Sequence, residues 1–109
     1  MFMIHQDLAA GHWQALTLCE QMGNIGSEVS RARLAQGRDA AGFDAAMARA
    51  LELFDLTVAD PRWRRGLREI LRSREVFCDA ALGGREYGAS LADLELYFDE
   101  FAFAARKNI

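Results

Sequence analysis

Six arginines crowd residues 62–74 (Arg62, Arg64, Arg65, Arg68, Arg72 and Arg74) against a single carboxylate, Glu69, for a net charge of +5 in that stretch. The guanidinium fork matches phosphate and carboxylate oxygens two at a time. A helix presenting Arg62, Arg65, Arg68 and Arg72 on one face therefore has the chemistry to hold nucleic acid or an acidic protein. Glu69 follows Arg65 by four residues and Glu75 follows Arg72 by three, spacings that make ordinary helix-surface ion pairs. No aromatic residue interleaves with these arginines on their solvent face to stack a base; Trp63 falls on the apolar stripe. The spacing thus favours a solvated, ion-paired face over a nucleic-acid surface. Arg74 projects from an apolar stripe, where a desolvated guanidinium requires a carboxylate or carbonyl partner, across the bundle or at an interface.

Glu52 and Asp55 lie one helical turn apart, which is how all-α nucleotide pyrophosphohydrolases present part of their magnesium site. An earlier helix would have to supply the other carboxylates, and it offers Glu28 alone, with Asn24 four residues before it and Arg31 three after. With one arm missing and an arginine adjacent, Glu28, Glu52 and Asp55 read as solvated acids rather than a hydrolase centre. Di-iron chemistry needs Glu-x-x-His pairs, and none exists; the histidines are His5 and His12. Two cysteines and two histidines, widely separated, do not make zinc spacing. No Ser/His/Asp or Cys/His arrangement can be argued, and Gly83-Gly84 lacks the spacing of a phosphate loop. The expectation is a protein without catalytic residues, metal or cofactor, working by contact.

The elements that position these residues are helical. Residues 7–35 carry Leu8, Ala15, Leu18, Cys19, Met22 and Val29 at helical spacing, with Glu20, Asn24, Ser27, Glu28 and Arg31 opposite. Gly23 and Gly26 flank Asn24-Ile25, where this first helix is expected to kink, or to split with Ser27 capping a second piece; one long, bent helix is the reading taken. Gly11 and Gly26 fall on the apolar stripe, so a neighbouring helix can approach closely there. Gly37, Asp39 and Gly42 make a turn into a second helix over residues 40–59, apolar along Phe43, Ala46, Met47, Ala50, Leu51, Phe54 and Val58. Asp60-Pro61 caps and opens a third helix that runs to residue 82 and stops at Gly83-Gly84. Ser90 and Asp93 form a capping box for a fourth, over residues 91–106, with Leu94, Phe98, Phe101, Ala102 and Ala105 inward. Leu96 and Phe103, seven residues apart beside Ala92, share the outer face and mark a second contact surface.

Length and composition fit this reading. A chain of 109 residues makes one domain, and 51% hydrophobic with 27% charged residues matches a globular protein. The net charge of −3 implies no strongly charged partner by itself. Cys19 and Cys78 sit on apolar faces and are expected in the core of a cytoplasmic protein. Met1-Phe2-Met3-Ile4 is apolar but too short for a signal peptide or membrane span.

The string Asn24-Ile25-Gly26-Ser27-Glu28-Val29 reads as a tight helix crossing in which Glu28 reaches an arginine. Together with Phe43 and Ala50-Leu51-Glu52-Leu53 it resembles the four-helix-bundle proteins encoded in large-subunit rRNA intervening sequences. That family shows an Asn-Ile-Ala-Glu-Gly-like stretch on one helix, then a helix with an aromatic start and a small-Leu-Glu-Leu pattern. Asn24, Ile25 and Glu28 stand for the first, with Gly26-Ser27 in place of one small residue; Phe43, Leu51 and Glu52 stand for the second. The third and fourth helices have no counterpart in it. The resemblance implies a small homo-oligomeric bundle and, through the related accessory subunits of diversity-generating reverse transcriptases, a basic surface for nucleic acid. The expected molecule is a single-domain, all-α, antiparallel four-helix bundle that forms a homo-oligomer through Leu96 and Phe103.

Overall fold

The computed structural model describes residues 11–107, and every regular element among them is helical. Four α-helices pack together: α1 (Leu18–Ala35), α2 (Ala40–Val58), α3 (Leu67–Ala81) and α4 (Leu91–Lys107). A 3-10 turn, Trp13–Ala15, precedes α1, and a 3-10 segment, Pro61–Gly66, precedes α3.

The first helix begins later than its apolar spacing predicts. Leu16 is extended (φ −85°, ψ 149°), and Thr17 caps α1 through a reciprocal box. Thr17 Oγ1 accepts from the Glu20 N–H at 3.1 Å, and Glu20 Oε1 accepts from the Thr17 N–H at 2.8 Å. The expected start near Asp7, like Leu8 of the apolar stripe, lies outside the described residues. The break falls at Leu16-Thr17, and α1 then runs as one helix through Gly23 and Gly26, where a kink or split was expected. Asn24 and Ser27 spend their side chains on the backbone carbonyls one turn back, of Glu20 and Gly23.

The other boundaries follow local signals. Asp39 caps α2 by accepting the Gly42 N–H at 3.0 Å. Pro61 occupies the first turn after Asp60, but the chain stays in 3-10 form to Gly66, interrupted at Trp63 (φ −101°, ψ 22°), before α3 begins. α3 ends where Gly83 and Gly84 turn left-handed at φ 112° and 73°. Asp79 then ties the following loop by accepting the N–H groups of Glu86 and Tyr87. Ser90 and Asp93 form the expected capping box of α4.

α1 packs chiefly against α4 and α2. Its buried face is Gln21, Met22, Ile25, Gly26, Glu28, Val29 and Ala32. This corrects the expected face: Glu28, placed with the polar side chains, is buried, and Gln21, Ile25 and Ala32 join the inner face. Phe98 of α4 lies directly over Gly26, where an added Cβ would come within 2.6 Å of the Phe98 Cβ. Through that gap the Phe98 ring reaches Phe54 of α2 at 5.9 Å between centroids, and Phe54 meets Phe77 of α3 at 5.8 Å. All four helices converge on this point. Each ring pair adds about 0.5–1.5 kcal/mol to the gain from burial. Cys19 and Cys78 are free and half-buried rather than core residues.

Gly26→Ala should overpack this crossing at a cost of about 1–3 kcal/mol. Urea unfolding would then show a lower midpoint at unchanged slope. Gly66→Ala, whose added Cβ would meet nothing within 4 Å, should leave the midpoint nearly in place. Equal losses in the two variants would contradict the close approach of α1 and α4.

Candidate functional site

Two groups of polar side chains, each in its own environment, differ most in what they leave for a partner. The first environment is a buried network where the 3-10 turn, α1 and the α2–α3 connection meet. Trp13 is fully buried, and its indole N–H donates to Thr57 Oγ1 at 3.0 Å. Gln21, also fully buried, donates to the Trp13 carbonyl at 2.8 Å and to Asp60 Oδ2 at 3.1 Å. Its own side-chain oxygen accepts the Trp63 indole N–H at 2.9 Å. Asp60 receives Arg62 on both carboxylate oxygens, at 3.0 Å on Oδ1 and 2.7 Å on Oδ2, and also the Arg62 backbone N–H. The same guanidinium donates to the Leu16 carbonyl at 2.8 Å and lies 4.3 Å from the centre of the Trp63 ring. Arg62 therefore leaves the row of expected contact residues: it pins the entry of α1 to the start of the third helix. No described buried side-chain N or O lacks a partner.

The second environment is the outer face of the segment from Arg64 to Glu75. Arg64, Arg65, Arg68 and Arg72 are exposed. The ion pairs expected along this helix do not form. Glu69 accepts the Tyr97 hydroxyl at 2.9 Å and Glu75 accepts the Tyr87 hydroxyl at 2.9 Å, so both carboxylates are turned to tyrosines from other parts of the chain. Arg64, Arg65 and Arg68 make no ion pair with a described residue. Tyr87 lies beside Arg72 at 5.4 Å, an aromatic neighbour that linear spacing does not reveal. Leu67 and Leu71 line a shallow groove between Arg68, Arg72 and Glu75, and Leu71 is 41% exposed.

The carboxylates considered for magnesium are differently engaged. Glu28 is buried with two arginines: Arg49 Nε donates to both its oxygens, at 2.8 and 3.2 Å, and Arg31 bonds to Oε1. The expected reach of Glu28 to an arginine is thus realised, through Arg49 of α2 as well as Arg31. Asp55 pairs with Arg74 at 3.1 Å, which resolves Arg74 as a partly exposed ion pair between α2 and α3. Glu52 and Asp55 share α2, but Glu28 does not join them in a cluster: among the described residues no three His, Cys, Asp or Glu side chains are placed to hold a metal ion.

On α4, Leu96 is 68% and Phe103 61% exposed. Ala92, Asp99 and Glu100 on the same side are exposed as well. The neighbouring Glu95 is turned toward α1, where Arg33 donates to it at 2.9 Å and holds its carboxyl below the ordinary value, with help from Ser30. The exposed side chains thus include the arginines of residues 64–72 and the apolar pair of α4; Leu82 and Leu34 are exposed as well, at 83% and 57%. Comparison with protein-family models, with curated proteins and with solved structures finds no match to this chain.

The Arg62 side chain is the main cause of the low Asp60 pKa, which lies at about 2 against an ordinary 3.8; burial opposes the shift, and the Arg62 N–H and Gln21 add to it. A carboxyl depressed in the folded state stabilises fully above its unfolded value. That contribution is lost as the pH falls through 3.8 toward 2. Asp60→Asn should flatten the loss of stability across that acid window and lower stability at neutral pH, both read by urea titration at a series of pH values. A variant with the wild-type acid slope would show that another group titrates there.

Proposed function

We propose that this protein is a non-catalytic interaction module, an antiparallel four-helix bundle that assembles with copies of itself. The observation that carries this reading is the outer face of α4, where Leu96 and Phe103 stand in solvent on a helix whose inner face is fully engaged. Covering two such side chains is worth about 1.5–3 kcal/mol each, which gives a second copy a reason to bind there. The antiparallel arrangement is supported by register: Gly23 lies against Ala102, Gly26 against Phe98, and Arg33 bonds to Glu95. The two free cysteines suit a reducing, cytoplasmic setting. No described helix is long and apolar enough to cross a membrane.

A second reading is favoured by Arg64, Arg65 and Arg68, which make no ion pair with a described residue and would suit the phosphates of a nucleic acid. Phosphate contacts release counterions, so such binding would weaken steeply as salt rises.

Light scattering after size exclusion should return a mass above the 12.2 kDa of one chain. Phe103→Asp should lower that mass toward one subunit while circular dichroism stays helical. An unchanged mass would remove α4 from the interface. Filter binding with short RNA and DNA across a salt series tests the second reading, which fails if no salt-sensitive binding is found.

A further inference from the structure

We infer that the self-assembly proposed above is heterologous, with the acidic, apolar face of α4 in one copy docked on the arginine face of residues 64–72 in the next. This rests on the assembly reading and names its two mating surfaces. The argument is charge complementarity within one chain. With Arg62 and Arg74 held by Asp60 and Asp55, residues 64–72 keep four arginines against Glu69, a charge of +3, and removing that from the chain's −3 leaves −6 elsewhere. Part of that negative charge is Asp99 and Glu100, exposed on α4 beside Leu96 and Phe103 and making no ion pair with a described residue. The arginine face pairs the opposite charge with an apolar side chain: Arg65 and Arg68, likewise without a carboxylate partner among the described residues, beside the exposed Leu71.

Leu96 and Phe103 are seven residues apart, a rise of roughly 10 Å along a helix, with Asp99 and Glu100 between them. Arg68, Leu71 and Arg72 cover the first turns of α3, with Arg65 just ahead of it in the 3-10 segment, so the arginine face likewise combines charged side chains with an apolar one. One helix laid along the other sets carboxylates among guanidiniums and apolar side chains against Leu71 and the groove beside it. All of these residues are exposed, so neither face covers the other within one subunit. A nucleic acid would use the guanidiniums but offers little to Leu71, and it would meet Glu75 at the groove edge. A second copy uses both parts of the face.

Because each subunit carries one face of each kind, the contact joins unlike surfaces, and assembly continues until it closes into a ring or remains open. Two surface variants test this. Arg65→Glu with Arg68→Glu removes the arginine face and keeps α4. Leu96→Asp with Phe103→Asp removes the α4 face and keeps the arginines. Circular dichroism establishes that each is folded before its mass is measured by light scattering. The wild type should be an oligomer whose mass falls as salt is raised. Each variant alone should be a monomer, and an equimolar mixture should give a particle of twice the subunit mass, since each supplies the face the other lacks. If the arginine variant assembles like the wild type, the heterologous contact is overturned while assembly through α4 stands. A monomeric wild type at every salt and concentration overturns both. Monomers that form no pair on mixing also overturn the contact, as does a wild-type oligomer that forms only when RNA is added.

Discussion

Everything in this bundle depends on the missing side chain at Gly26. Phe98 can lie against α1 only because no methyl group stands there, and only from that depth does its ring reach Phe54 and, through it, Phe77. The rest of α4 follows. With Phe98 inward, Leu91 and Leu94 are buried, Glu95 turns to Arg33 and Tyr97 turns to Ser73 and Glu69. Helical geometry leaves Leu96 and Phe103 outside. The exposed apolar pair is thus a geometric consequence of the crossing, and the same constraint that fills the core sets what the surface offers.

The polar groups obey a second constraint, set by desolvation. A buried carboxylate or amide without a partner costs several kcal/mol, and a buried charge costs more. Glu28 therefore holds Arg49 and Arg31, while Asp60 holds Arg62 and Gln21. These pairings consume arginines and acids from inside the bundle and from its seams. Tyr87 and Tyr97 consume Glu75 and Glu69 as well. What remains exposed includes Arg64, Arg65, Arg68 and Arg72 on one segment and, on α4, Asp99 and Glu100 followed by Arg106 and Lys107. The surface inherits its charge pattern from the pairing demands of the interior.

This also explains what could be read from the chain alone. Caps and terminators are local, so Asp39, Pro61, Gly83 and the Ser90–Asp93 box are legible as linear signals. Gly26 as a close crossing and Leu96 with Phe103 as an outer pair are legible from period alone. Glu28 is not, because its burial is made acceptable by Arg49, twenty-one residues away on another helix. Nor is Gln21, whose three-way bridge exists only once Trp13, Trp63 and Asp60 meet. The two tryptophans were the available clue, since each buried indole N–H needs an acceptor. The fate of Glu69 and Glu75 was hidden for a similar reason: helical spacing pointed to Arg65 and Arg72, and the winning partners come from α4 and from the loop before it.

The placement of Phe98 bears on the order in which the molecule can be made. α1 and α2 are near neighbours in the chain and can meet early, but the groove at Gly26 is filled from the opposite end. Contacts between distant segments carry the larger loop-closure cost and form late. Without α4, Phe54 and Phe77 would leave the seat for Phe98 at Gly26 open, so docking of α4 is what completes the core.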